Sequence, residues 1–312
     1  MNTTPTTEDR IWAVISHLSS LALGMGILLP IIGWADQRRK SNYASFQSLQ
    51  ALGYQSLGFT VWVLSYLIII IAASILLLAI LGSRGGTSQN MNAVLGPWMI
   101  FFFTILFGFF ALYFLFPIAA AVACALGKDF RYPIMGDRLA HYLEYDPTRK
   151  SEAQTWLNQD HEVCWVAAIG HFSVIIMLWG MLAPLTAWIL YGKHSAFLKF
   201  QSVQTVVYQA VTTLLYFGAG FLYLFGFLSL IALTGLTSGP DLNSPLAMIG
   251  VMVFGVSLLI VIVVALFLPL IHIVGQWAGY RVLKGDDYHY PLIGRLVGKW
   301  ISNKSTVEEK LA

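Results

Sequence analysis

The sequence predicts an all-α integral membrane protein built from two tandem copies of one unit, and three observations predict it. Of 312 residues, 57% are hydrophobic and 11% charged, with a mean hydropathy of +0.71. That is too little charge to coat a soluble globule of this length. Residues 10–57 and 164–211 align at a constant offset of 154 without a gap and are identical at 15 of 48 positions. The shared residues include His17, Pro30, Trp34 and Gln47, repeated as His171, Pro184, Trp188 and Gln201. Leucines can recur in apolar segments by composition, but His, Pro, Trp and Gln at fixed spacing indicate internal duplication. The third observation is the placement of basic residues, which decides how the segments enter the bilayer.

Six apolar stretches follow one another: 11–34, 57–81, 93–126, 163–190, 205–236 and 246–283. The long ones exceed the roughly 20 residues that a spanning helix needs. If all six span, Lys and Arg divide 10 to 8 between the two faces, which is no bias. If the first and fourth enter and leave on one face, the division becomes 17 to a single Arg84. The positive-inside rule favours the second arrangement, with both termini cytoplasmic and the two units, 1–150 and 151–312, in the same orientation. The opening segment is polar and acidic and lacks the pattern of a cleaved signal. Cys124 and Cys164 fall in or beside apolar segments and suggest no disulfide framework. The net charge of +3 gives no reason to expect a nucleic-acid partner.

Each element has a local rationale. Gly24-Met25-Gly26 interrupts the first stretch near its middle, Gly180 matches Gly26, and Pro30 or Pro184 follows four residues after the shared glycine. The halves on either side are about 10 to 13 residues, too short to cross a core of about 30 Å. This predicts re-entrant helical hairpins, with a kinked spanning helix as the alternative. Next comes a polar run, Phe46-Gln47-Ser48-Leu49-Gln50, continuing to Tyr54-Gln55, which is repeated with Gln201, Gln204, Tyr208 and Gln209. At 100° per residue Gln47, Gln50 and Tyr54 share one side of a helix. These amides can line a path or grip a partner; as structural groups they would bond to the adjacent hairpin. Two spanning helices complete each unit, with outer turns at 82–86 and 239–241.

A closing motif ends each copy. Gly127-Lys128-Asp129-Phe130-Arg131-Tyr132-Pro133 matches Gly285-Asp286-Asp287-Tyr288-His289-Tyr290-Pro291. Glycine ends the helix, and Tyr with Arg or His anchors the interface. Residues 134–143 and 292–301 then alternate apolar and basic groups at helical spacing and suit the membrane surface. The order Ser16-His17-Leu18-Ser19, Pro30, Phe46, Gln50-Ala51-Leu52, Tyr54-Gln55 and Phe130-Arg131-Tyr132-Pro133 resembles a small bacterial membrane domain of unknown function. That domain is related to Tic-twenty, a component of import at the chloroplast inner envelope. Where that family often has His after the first Phe and Asn before the second aromatic, this chain has Gln47 and Gly53, or Gln201 and Val207. The resemblance implies a tandem fusion in a bacterial inner membrane with a distant link to protein translocation.

His17 and His171, each with a serine two residues on (Ser19, Ser173), are the best candidates for chemistry, since ionisable groups at membrane depth are costly. Paired across the repeats they could bind metal or relay protons, yet no further ligands stand nearby. As a structural group each would be a neutral imidazole bonded to a backbone carbonyl in its hairpin. The sequence has no P-loop, HExxH, GxSxG or dinucleotide fingerprint, so neither catalysis nor a cofactor is expected. The expected partners are lipid and other membrane subunits. Three roles remain: a non-catalytic scaffold or assembly subunit, an aid to polypeptide translocation or insertion, or a small-solute or proton pathway.

Overall fold

The protein is described by a computed structural model over residues 4–83, 88–147, 156–235 and 244–311. The described residues are mostly helical, and six helical runs are long and apolar enough to cross a membrane. Two of the six are not straight. In the first, α1 (Thr7–Leu18) passes through a 3₁₀ segment, Ser19–Ile27, into α2 (Leu28–Gln37). Leu23 takes φ 52° and ψ −137° inside that segment, and the chain doubles back. The Nε2 of Gln37 donates to Oε1 of Glu8 at 3.1 Å, so the two ends of the run meet. A Cβ on Gly33 in α2 would lie 3.1 Å from Ser16 Oγ in α1.

The second copy repeats this course. Its first arm is α7 (Gln159–Phe172), its tip the 3₁₀ segment Ser173–Met181 and its second arm α8 (Leu182–Tyr191), with Met177 at φ 54° and ψ −129°. The bend therefore falls on Leu23 and Met177, a matched non-glycine pair, and not on the shared glycine. Gly26 and Gly180 serve a different need. A Cβ at either would stand 1.8 or 2.0 Å from the carbonyl oxygen of Ser19 or Ser173, so the two limbs of each tip close against a bare backbone.

After the first hairpin comes one continuous helix: α3 (Asn42–Gly53), a π-helical turn (Tyr54–Gly58) and α4 (Phe59–Ser83). α5 (Ser88–Ala125) returns. The second copy has the equally long α9 (Ala196–Gly235) and α10 (Pro245–Leu283). Ser41 and Ser195, identical in the copies, cap these long helices by accepting from the amides of Ala44 and Leu198, both at 3.1 Å. The short α6 (Met135–Leu143) and the longer α11 (Ile293–Leu311) follow the closing motifs. The outer turns and the boundary between the units fall outside the described residues.

The hairpins of both copies, α3 and the start of α9 share one core, in which Ile31, Trp34, Phe46 and Leu49 meet Trp165, Ile169, Ala183 and Leu198. α3 is buried on every side from Ala44 to Gly53, so its shared amide side is covered by protein. Trp165 of α7 crosses to donate its indole N–H to the Leu49 carbonyl at 3.0 Å. The helix pairs beyond the core differ. α9 and α10 pack closely, with Gly226 against Ser257 and Gly250 against Leu230 and Leu233, whereas Gly96 and Gly108 of α5 have nothing within 4 Å.

Candidate functional site

In each copy the predicted polar residues assemble into one buried network beneath the hairpin. His17 Nε2 lies 3.0 Å from Gln47 Oε1, an acceptor, so this ring nitrogen donates. His17 Nδ1 then accepts from the Tyr132 hydroxyl at 3.0 Å, and a neutral imidazole satisfies both. Gln47 Nε2 donates to Asp129 Oδ1 and to the Phe130 carbonyl, at 2.9 and 3.1 Å. Gln50 Nε2 donates to Gln47 Oε1 and the Phe130 carbonyl, and its own oxygen accepts from the Tyr132 amide at 2.8 Å. Two glutamines and a histidine thus pin the closing motif onto the hairpin through both backbone and side chain.

The second copy reproduces the wiring. His171 bonds Tyr290 at 2.8 Å and Gln201 at 3.1 Å. Gln201 reaches Asp287 and the Tyr288 carbonyl, while Gln204 bonds Gln201 and the Tyr288 carbonyl and accepts from the Tyr290 amide. Thr205, which stands where the first copy has Ala51, adds a hydroxyl 3.0 Å from His171 Nδ1. The histidine partners are therefore side chains from other elements, not the backbone carbonyl expected. The two imidazoles share no partner and belong to separate networks. Among the described residues no group of three or more His, Cys, Asp or Glu is placed to hold a metal ion.

The remaining shared pairs secure the tips. Gln55 Nε2 bonds Ser19 Oγ at 2.8 Å and the Ser16 carbonyl at 3.3 Å, and Gln209 makes the matching bonds to Ser173 and Gly170. Ser173 Oγ also spans its tip to the Gly180 carbonyl at 2.8 Å. Tyr54 stacks on Tyr132 at 4.3 Å and Tyr208 on Tyr290 at 4.0 Å. The Tyr54 hydroxyl donates to the Tyr113 carbonyl at 2.7 Å. Pro117 lies four residues after Tyr113 and has no N–H to offer that carbonyl, so the phenol supplies the missing donor. Pro30 and Pro184 are buried in the second arms. Pro133 and Pro291 accept in the tight turns that follow the motif, from Met135 and Ile293 at 2.7 and 2.8 Å.

Reading the sequence missed three features. Tyr132 and Tyr290 looked like interface anchors but are 3% and 1% exposed; their recurrence at one place in both copies was the available signal. Asp129 and Asp287, given no role from the sequence, accept the glutamine amides. Arg38 of the first hairpin pairs with Glu162 of the second at 3.0 Å, both buried, with the guanidinium 4.0 Å over the Tyr191 ring. Glu162 recurs as Glu8, but Gly192 stands where the second copy would need the arginine, so the repeat did not point to this pair.

Duplicated hairpins, long apolar helices and fully bonded internal histidines define a polytopic integral membrane protein of tandem-repeat architecture. The chain matches the magnetosome magnetite crystal formation protein family (MamF/MmsF), a bacterial membrane family, in two segments, residues 8–139 and 162–297. It belongs to that family, and each of its copies matches the family separately. No curated protein and no solved structure matches it.

Proposed function

We propose that this chain is a non-catalytic scaffold of the membrane in which magnetite crystals form, with both termini and all hairpin bases on one aqueous face. Its family description supplies the setting. One observation carries the scaffold reading: in both copies the costly intramembrane-type residues, His17 with Gln47 and His171 with Gln201, are wholly buried and spend their polar atoms holding the closing motif to the hairpin. The Tic-twenty-like reading needs Gln47 and Gln201 on a wet path, and both are 0% exposed. The Gln37–Glu8 contact and the 17-to-1 division of basic residues support the single-face topology.

The hairpins sit at one side of the bilayer and not across its middle. Gln55 on Ser19 sets the tip level beside the π-helical turn. Beyond that turn α4 continues for 25 residues, about 37 Å at 1.5 Å per residue, which alone crosses a core of about 30 Å. The test is a magnetite-forming host lacking this chain, complemented with the wild type or with His17→Ala and His171→Ala together. The scaffold reading expects lost complementation to follow loss of folded protein in the membrane. A double variant that accumulates fully folded yet leaves crystals defective would overturn it in favour of a chemical role for the imidazoles.

A further inference from the structure

On the single-face topology proposed above, the described residues load the two leaflets unequally. Among the described helices, α1, α2, α7 and α8 lie on the side of the hairpin bases together with the first parts of the long helices, whereas beyond the tips α4, α5, α9 and α10 continue. The hairpins are apolar on the outside: Ile11, Leu29, Ile189 and Leu190 on the arms and Leu23 and Met177 at the tips are all exposed. Those side chains call for lipid, and the arms that carry them reach only one leaflet. Four arms, each about 10 Å across, add roughly 80 Å² apiece to that leaflet and nothing to the other.

A second observation points to the same leaflet. Ile134 and Leu292 occupy matching places after the closing motif, at φ 65° and 66°, in three-residue turns closed by the Met135 and Ile293 amides on the Pro133 and Pro291 carbonyls. This is the strained hand of the γ-turn, rare for any residue and costly for a β-branched one. Both copies hold it, and in both it presents an aliphatic side chain that is 76% or 74% exposed. Leu296 and Trp300 on α11 are exposed beside the same charged end. Strain kept twice to expose an aliphatic group makes sense where that group enters the interfacial zone of a bilayer.

We infer that the protein is a one-leaflet wedge that bends the membrane convex toward its basic face and collects on strongly curved bilayer. The inference rests on the single-face topology proposed above. Its partner is the lipid of one leaflet: extra cross-section there is relieved when that leaflet expands relative to its neighbour, as for interfacial helices whose binding depends on curvature.

The test uses the full chain with Cys124→Ala and Cys164→Ala, carrying either Asp9→Cys or Lys40→Cys as its single thiol. It is reconstituted into phosphatidylethanolamine–phosphatidylglycerol vesicles extruded through wide or narrow pores. An impermeant thiol reagent reports which face each introduced thiol occupies, and a fluorophore on that thiol reports protein per area of membrane. For the Lys40→Cys protein, molecules with the thiol outward should be several-fold denser on narrow vesicles, and molecules with it inward should be depleted there. Equal density on both sizes, or the same preference in both orientations, overturns the wedge while leaving the topology intact. Labelling of the Asp9→Cys and Lys40→Cys proteins from opposite faces would overturn the topology itself, and the wedge with it.

Discussion

At the scale of single residues, His17 is held at both ring nitrogens by side chains from two other elements. His17→Ala leaves the Tyr132 hydroxyl without its buried acceptor and Gln47 Oε1 without one of its donors, a loss of about 1–3 kcal/mol by the usual cost of such groups. Thermal unfolding in mild detergent should show a lower Tm, and Tyr132→Phe combined with His17→Ala should cost less than the sum of the two. Strict additivity would deny the coupling. Leu23 and Met177 carry the opposite expectation. Each is a non-glycine residue at positive φ, a conformation that costs of order 1–3 kcal/mol, so Leu23→Gly and Met177→Gly should each raise Tm despite deleting an apolar side chain. A lowered Tm in both would show that the bend is not strained. The histidines, the glutamines and the stacking Tyr54 and Tyr208 were legible because duplication repeats them, whereas Tyr132 and Tyr290 read as interface anchors. The hinge was not legible, because Gly24 and Gly26 drew attention to a neighbouring position. Glycine is needed there for closeness, while Gln55 and Gln209 tie the first limb of each tip to the long helix beside it.

At the scale of elements, a break in the first stretch of each copy, the long helices and the helical segments after each closing proline were predictable from periodicity and breakers. What composition could not tell is which apolar helix faces meet protein. For the amides of α3 the sequence left two readings, lining a path or bonding the adjacent hairpin, because amides at helical spacing do not name their covering partners. The structure covers them with the closing motif and the apolar side with α7. A pair of substitutions separates packed from lipid-facing surfaces. Gly226→Val would bring a side chain within 2.7 Å of Ser257 and force α9 from α10, while Gly108→Val meets nothing within 4 Å. The first should lower Tm and folded yield and the second should leave both near wild type. Equal effects would mean that the two helix pairs pack alike.

At the scale of the whole molecule, the two copies are joined by a shared core and by one buried ion pair. Arg38→Met leaves Glu162 enclosed without its partner, a change expected to cost about 3–5 kcal/mol, whereas Arg38→Met with Glu162→Leu should recover most of that loss. Comparison of Tm for the single and double variants decides it; a double variant no better than the single would remove the pair as the joint between copies. A second global handle is Asp129, whose pKa is raised above the usual carboxylate value by burial, against the lowering influence of Arg131, Tyr145 and Gln47. The folded state therefore binds its proton more tightly than the unfolded state does. Stability from this group is present at low pH and is lost as pH rises from the ordinary carboxylate value through the raised one. Asp129→Asn should flatten the acid side of a plot of Tm against pH, and an unchanged plot would refute the assignment.

By itself the sequence determined the solvent, the duplication, the element order and the histidines and glutamines of the internal network. Those follow from composition, fixed spacing and breakers, all of which are local or strictly repeated. Only the tertiary structure decided where the chain reverses, which faces of α3 are covered and how the copies are joined. Each of those depends on contacts between residues far apart in the chain, such as Arg38 with Glu162 and Tyr132 with His17, whose partners neither helical spacing nor the 154-residue offset specifies.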